Sequence, residues 1–244
     1  MSPVSNCTPY PLSYPPGVTS TTGARDIGAG RPTTDLPLLL ADLHLALLPG
    51  DEARIRLDPV PDAGWTLQRA DDLLVGAGFV PDTISWCDTG RVEVAATRIR
   101  SLPDTVAPGL RLLVVGLNPS PSSADTAVGY HRGGNRFWPA VLEAGLASVD
   151  REPRRALRDH KLGMTDLVRR TTSRADEVAP AEYRRGAERV ERLVAWLHPR
   201  AVCFIGLGGW RTVVDRHAVA GEQERSFGGR PVYLMPHTSG LNAH

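Results

Sequence analysis

Leucines recur at helical spacing from residue 36 to residue 48 and stop at Pro49-Gly50, which predicts a helix closed by residues that cannot extend it. Residues 53–57 then alternate with the period of a strand, and 66–77 return to a helical period that ends at Gly78. Runs at 83–87 and 91–99 flank Asp88-Thr89-Gly90, the signature of a β-hairpin. Beyond residue 109 the pattern changes. Four short, mostly apolar runs, 110–115, 163–167, 201–205 and 232–235, are separated by helical patterns over 136–146, 151–159, 180–197 and 208–216. A short apolar run closed by Gly or Pro reads as a strand buried on both faces. Strands alternating with helices at this spacing predict a parallel sheet covered on each side.

Residues 1–35 are rich in Pro, Ser, Thr and Gly and have almost no apolar periodicity, which predicts a disordered tail. Pro103 and Pro108 mark 102–109 as a natural linker. The expected organisation is therefore a tail (1–35), a small α+β accessory unit (36–101), a linker (102–109) and an α/β domain (110–244).

Composition narrows what such a chain can do. Its 244 residues allow one large or two small domains, and an apolar content of 41% is enough for a core. No apolar run approaches the ~20 residues of a membrane span. The N-terminus has neither a basic start nor an apolar signal core, so a cytoplasmic protein is expected. Abundant Arg, Ala, Pro and Gly with a single lysine hint at a GC-rich bacterial genome. Cys7, Cys87 and Cys203 show no metal-ligand spacing, so no metal or organic cofactor is expected. Net charge is only +1 but unevenly spread. Residues 1–100 carry 8 Arg against 12 acids, whereas 101–244 carry 20 basic against 15 acidic side chains, a balance that permits nucleic-acid binding in the second half.

The candidate chemistry lies where the first apolar run of the second half ends, at Gly116-Leu117-Asn118-Pro119. Pro119 keeps Asn118 extended, so its side chain leaves the carboxyl end of the strand, where ligands sit in open α/β sheets. A small-residue loop follows from Ser120 to Ala127, then Tyr130 among glycines, then Asn135 as N-cap of the next helix. On spacing alone this is an ordinary strand–loop–helix crossover.

The same residues resemble the mismatch-specific uracil-DNA glycosylase / thymine-DNA glycosylase family. Its first motif, Gly-Ile-Asn-Pro-Gly, a serine-bearing loop, an aromatic and Asn-Arg-Phe-Trp, is matched by Gly116–Ser120, Ser122-Ser123, Tyr130 and Asn135-Arg136-Phe137-Trp138. Its second, Asn-Pro-Ser-Gly-Leu-Ser, is matched by His237-Thr238-Ser239-Gly240-Leu241-Asn242. The resemblance covers roughly residue 108 to the end. It implies a three-layer α/β/α fold with a four-stranded parallel sheet, and a last helix missing after His244. The order of elements in the accessory unit resembles, weakly, the C-terminal end of a class I methyltransferase fold without its glycine-rich cofactor loop.

What the family resemblance implies for the site is specific. A base in duplex DNA must be drawn from the stack into a pocket. Tyr130 would stack on it, with Ser120 and Ser123 lining the pocket. Backbone groups near Leu117 and Tyr130 would read the N3–H and O4 of uracil. Asn118 would hold a water against the anomeric carbon, although a carboxamide is no true base, so a slow, leaving-group-driven enzyme is expected. His237 departs from the family Asn and resembles the His with which other uracil-DNA glycosylases donate to the pyrimidine O2; a donor aimed at developing charge can lower a barrier by ~3 kcal/mol. Thr238 replaces a proline. Ser122 and Ser239 would contact DNA, Gly240 would let the backbone approach a phosphate, and Leu241 would wedge into the space left by the base.

Asp166 falls where family members vary between Lys and Asn; it tunes the pocket or pairs with a neighbouring arginine. Glycosylases that also cut the backbone use an amine. The only lysine, Lys161, precedes a strand, so a monofunctional enzyme is expected. Gly206–Trp210 lacks nucleotide-loop spacing and reads as a helix start. The expected partner is duplex DNA carrying G·U or G·T mismatches, met by a monomer without a membrane. The alternatives are a DNA-binding module of the same fold without activity, and a nucleotide binder built on the accessory unit.

Overall fold

Thr66 stands in extended conformation and accepts the Arg69 N–H on its hydroxyl, which starts helix α2 (Leu67–Gly76) where the apolar period begins. The same correspondence between pattern and element holds along most of the chain. A computed structural model describes residues 24–88, 90–174 and 177–239. The first unit contains β1 (Arg25–Ile27), a 3₁₀ turn at Thr33–Asp35, α1 (Leu36–Leu45), β2 (Glu52–Leu57), α2, β3 (Phe79–Asp88) and β4 (Arg91–Arg98). Its sheet runs β1-β2-β4-β3, parallel between β1 and β2 and antiparallel elsewhere. Buried residues alternate with exposed or half-buried ones along β2, and with half-buried ones along β4. One face therefore carries the core, closed by Leu36, Leu40, Leu73 and Leu74 of the two helices.

The second unit contains β5 (Leu112–Gly116), α3 (Pro121–Thr126), α4 (Phe137–Glu143), α5 (Pro153–His160), β6 (Leu162–Asp166), α6 (Pro180–Leu197), β7 (Val202–Ile205), α7 (Leu207–Val213), β8 (Gly221–Phe227) and β9 (Arg230–Met235). Its strand order is β6-β5-β7-β9-β8, and all neighbours are parallel except β8 and β9. Neighbouring residues of one strand enter different cores. Leu113 and Val115 pack with α6 and Trp210 of α7. Val114 packs with Phe137, Trp138 and Ala156 on the other face. The expected three-layer α/β/α domain is thus present.

Several expectations are corrected. The sheet has a fifth strand, the antiparallel β8. The Ser120–Ala127 loop contains α3, started by Ser120 and by Pro121 at its first position. Asn135 is one residue early as a cap: the helix is capped at Arg136, but the Asn135 side-chain oxygen still accepts the Phe137 N–H at 2.9 Å. Order begins before residue 36, because β1 pairs with β2 inside the segment assigned to a tail. Residues 102–109 are no free linker. Thr105 exchanges two 2.9 Å backbone hydrogen bonds with Met164, and Asp104 N–H donates to Gly76 O.

The two units are held together by named contacts. Arg192 of α6 makes a bidentate pair with Asp72 at 2.8 Å, and Arg154 reaches Asp42 at 2.7 Å. Trp196 packs against both cores and carries the Arg69 guanidinium 4.5 Å above its ring.

Candidate active site

β6 lies on one side of β5 and β7 on the other, so the strand order reverses at β5, the point where an open α/β sheet leaves a crevice at its carboxyl ends. A cavity of about 490 Å³ lies there, lined by residues that include Asn118, Tyr130, Asp166 and His237. The two loops, far apart in sequence, meet on it, and they touch: the Arg136 N–H donates to Thr238 O at 2.9 Å.

Asn118 is fixed by acceptors. Its Nδ2 donates to Thr172 Oγ1 at 2.7 Å, Arg170 O at 3.3 Å and Pro119 O at 3.4 Å. Thr172 Oγ1 spends its own proton on Arg174 O at 2.6 Å, so it must accept from the amide. Turning the amide over would set oxygen against two carbonyls. The orientation is determined, and Oδ1 is left without a partner among the described residues, as an acceptor for a bound molecule.

The loop that grips Asn118, residues 167–174, is itself tied at successive positions. Arg169 pairs with Asp104 at 2.8 Å and Ser101 Oγ donates to Arg169 O at 2.7 Å. Arg170 pairs with Glu182 of α6 at 3.0 Å, and Thr171 Oγ1 donates to Arg100 O at 3.3 Å. Such bracing is what holds a reacting group in place without reorganisation. Thr172, Arg169 and Asp104 were not singled out in the sequence; the available signal was a pair of threonines in the loop after β6, at the same sheet end as Asn118.

Tyr130 adopts φ 58° and stacks on Phe137 with ring centroids 4.1 Å apart. Its loop is held by Trp138 Nε1, which donates to Gly129 O at 2.9 Å. The Tyr130 hydroxyl is buried without a partner among the described residues, and burial, then the Asp166 carboxylate, push its pKa well above the usual tyrosine value.

Asp166 is buried at the last position of β6, and burial, opposed by Arg169, raises its pKa to about 6. His237 follows β9 with its imidazole over Gly206, whose φ of +93° and missing Cβ leave room for the ring. That ring makes no hydrogen bond among the described residues. Desolvation lowers its pKa, which favours the neutral ring with one nitrogen free to donate.

The remaining predicted residues divide. Ser120 and Ser123 line the cleft, but their hydroxyls bond each other at 3.1 Å as Ser120 caps α3. Ser122 does not line it and faces His131 Nδ1 at 3.4 Å. Leu117 lines it, yet its carbonyl already accepts the Val168 N–H at 2.9 Å. Ser239 is exposed at the rim. Gly240 and Leu241 lie outside the described residues. Lys161 is the left-handed cap at the end of α5, at the amino end of β6 and therefore at the opposite end of the sheet from the cleft. Gly206–Trp210 does begin a helix, α7.

A three-layer α/β/α domain whose two loops close on a crevice at the switch point of a parallel sheet defines a ligand-handling α/β domain, with the ligand at the strand ends. Residues 103–244, more than half of the chain, match the family model described as the uracil DNA glycosylase superfamily. The chain belongs to that superfamily, and so to the DNA glycosylases, hydrolases that cut the bond between a base and its deoxyribose.

Proposed function

We propose that this protein is a monofunctional glycosylase that removes uracil mispaired with guanine from duplex DNA. What supports the reading is one juxtaposition: the Asn118 amide, its oxygen without a partner among the described residues, and the His237 imidazole, likewise without one, line the same cleft. In this mechanism Asn118 Oδ1 accepts a hydrogen bond from a water held against the anomeric carbon. The glycosidic electron pair leaves with the pyrimidine, whose O2 charge meets the His237 N–H. The water oxygen bonds to the sugar, and its proton passes to solvent, because neither an amide nor a donating imidazole takes it. Tyr130, braced from behind by Phe137, supplies the stacking surface for the extruded base, and Ser239-Gly240-Leu241 enters the minor groove.

The cleft-lining side chains include no lysine, in keeping with hydrolysis that stops at an abasic site. Duplexes carrying G·U or A·U, incubated with the protein and developed with or without alkali, test the reading. Breaks at uracil only after alkali, and more of them opposite guanine, are expected. Binding without breaks would leave a DNA-binding module.

A further inference from the structure

The chain that leaves β4 is sewn to the first unit on one side and to the loop that grips Asn118 on the other. On the first side, the Ile99 N–H donates to Gly78 O at 3.0 Å and the Asp104 N–H to Gly76 O at 2.9 Å. His44 of α1, fully buried, sets its Nε2 3.2 Å from Ser101 O. A carbonyl only accepts, so that nitrogen carries the proton and donates. Burial lowers the His44 pKa to about 3, which keeps the ring neutral at pH 7. Gly78 has φ +84°, and a Cβ there would stand 2.7 Å from the imidazole and 3.0 Å from the Ser101 Cβ. His44 and Ser101 thus close on a point that only glycine leaves open.

On the second side, three consecutive residues meet the loop. Thr171 Oγ1 donates to Arg100 O at 3.3 Å, and Ser101 Oγ, without exposure to solvent, donates to Arg169 O at 2.7 Å. Leu102 O accepts from the Arg169 guanidinium, and Leu102 itself lines the cleft. These tethers alternate with the groups that hold the reacting amide. Residues 169 and 171 bond to the chain after β4, whereas Arg170 O and Thr172 Oγ1 accept from Asn118 at 3.3 and 2.7 Å. Asp104 holds the Arg169 side chain; Ser101 holds the Arg169 backbone, which is what sets the position of the next residue.

Resting on the glycosylase reading, we propose that the first unit is a working part of the reacting centre and that Ser101 is its positioning residue. Held by His44, Ser101 fixes the loop whose next residues aim the Asn118 amide at its water. A tie that served stability alone needs no such place: the Arg192–Asp72 and Arg154–Asp42 pairs join the two units, and none of their members lines the cleft. A reacting group must be held to about half an ångström, and slack in the loop is felt as rate before it is felt as affinity.

The test is a double-mutant cycle read as single-turnover excision of uracil from a G·U duplex by the wild type, Ser101→Ala, Asn118→Ala and the double variant. Ser101→Ala should be about tenfold slower than the wild type, with the duplex Kd unchanged. In the Asn118→Ala background the same change should cost less than about twofold, because a residue that acts through the amide has nothing left to act on. Should Asn118→Ala leave no measurable rate, Thr172→Val replaces it, and the two losses should combine to less than their product. Should Ser101→Ala fail to fold by thermal melting, Thr171→Val, which removes the other tether at a half-buried position, takes its place with about a threefold loss expected. Equal losses in the two backgrounds, no loss in the wild type, or a loss of affinity instead of rate overturns the positioning role and leaves the glycosylase reading standing. A wild type that excises no uracil overturns that reading, and this inference with it.

Discussion

Two buried carboxyl groups far apart in sequence, Asp104 before β5 and Asp166 at the end of β6, are brought near each other by the fold, and they are treated in opposite ways. Asp104 is saturated: it accepts from Thr165 at 2.7 Å, from Arg169 at 2.8 Å and from Arg189 at 2.8 Å. Asp166, next in sequence to Thr165, has no partner on its carboxyl among the described residues and faces the cleft. The first knots the segment before β5 to the loop after β6 and to α6. Through Arg169 it steadies the loop that holds the Asn118 amide. The second does none of this and costs stability when charged. A buried charge with three donors is part of the scaffold; one with none is left for something the protein binds.

Breaking the saturated member should have the largest effect. Asp104→Ala leaves two buried guanidinium groups facing each other, and removing one partner of a buried pair costs about 3–5 kcal/mol. Urea unfolding should show a midpoint lowered accordingly; a loss below about 1 kcal/mol would mean the knot is not structural.

The opposite member should respond with the opposite sign. The Asp166 pKa rises from 3.8 to about 6 on folding, so between these values the folded chain holds a proton that the unfolded chain has lost. Its contribution to stability is fully present below pH 4 and is lost as pH rises through 6. Asp166→Asn should therefore match the wild type in stability below pH 4 and exceed it by about 3 kcal/mol above pH 7. Melting curves across that range check both the sign and the window. A constant difference would contradict the comparison.

A smaller effect is expected where the two regions meet. Thr172→Val removes one acceptor from the Asn118 amide, worth about 1 kcal/mol. It should slow excision roughly tenfold while leaving the melting temperature within a few degrees. A loss of stability without a loss of rate would place Thr172 in the scaffold only.

How far the sequence carried the fold is clear from particular elements. β5, β6 and β7 are buried along nearly their whole length because both faces are covered, β9 alternates buried Val232 and Leu234 with exposed Pro231 and Tyr233, and α6 shows its full apolar stripe. β8, with sequence Gly-Glu-Gln-Glu-Arg-Ser-Phe, carries no such signal, because an edge strand exposed along most of its length needs no apolar period. β1 is three residues long and is specified by pairing with β2 rather than by its own side chains. In the site, Asn118, Tyr130 and His237 were legible because motif residues keep their spacing. The status of Asp166 was not: several arginines follow it in sequence, and only the folded chain shows that Arg169 and Arg189 are both engaged by Asp104.

The central claim is that two distant loops form one reacting centre, and single-turnover excision from a G·U duplex by the wild type, Asn118→Ala and His237→Ala tests it most directly. Each variant should bind the duplex nearly as well as the wild type and yet lose about a hundredfold or more in rate. Unchanged rates in both variants, or alkali-labile sites that never form with the wild type, would contradict it.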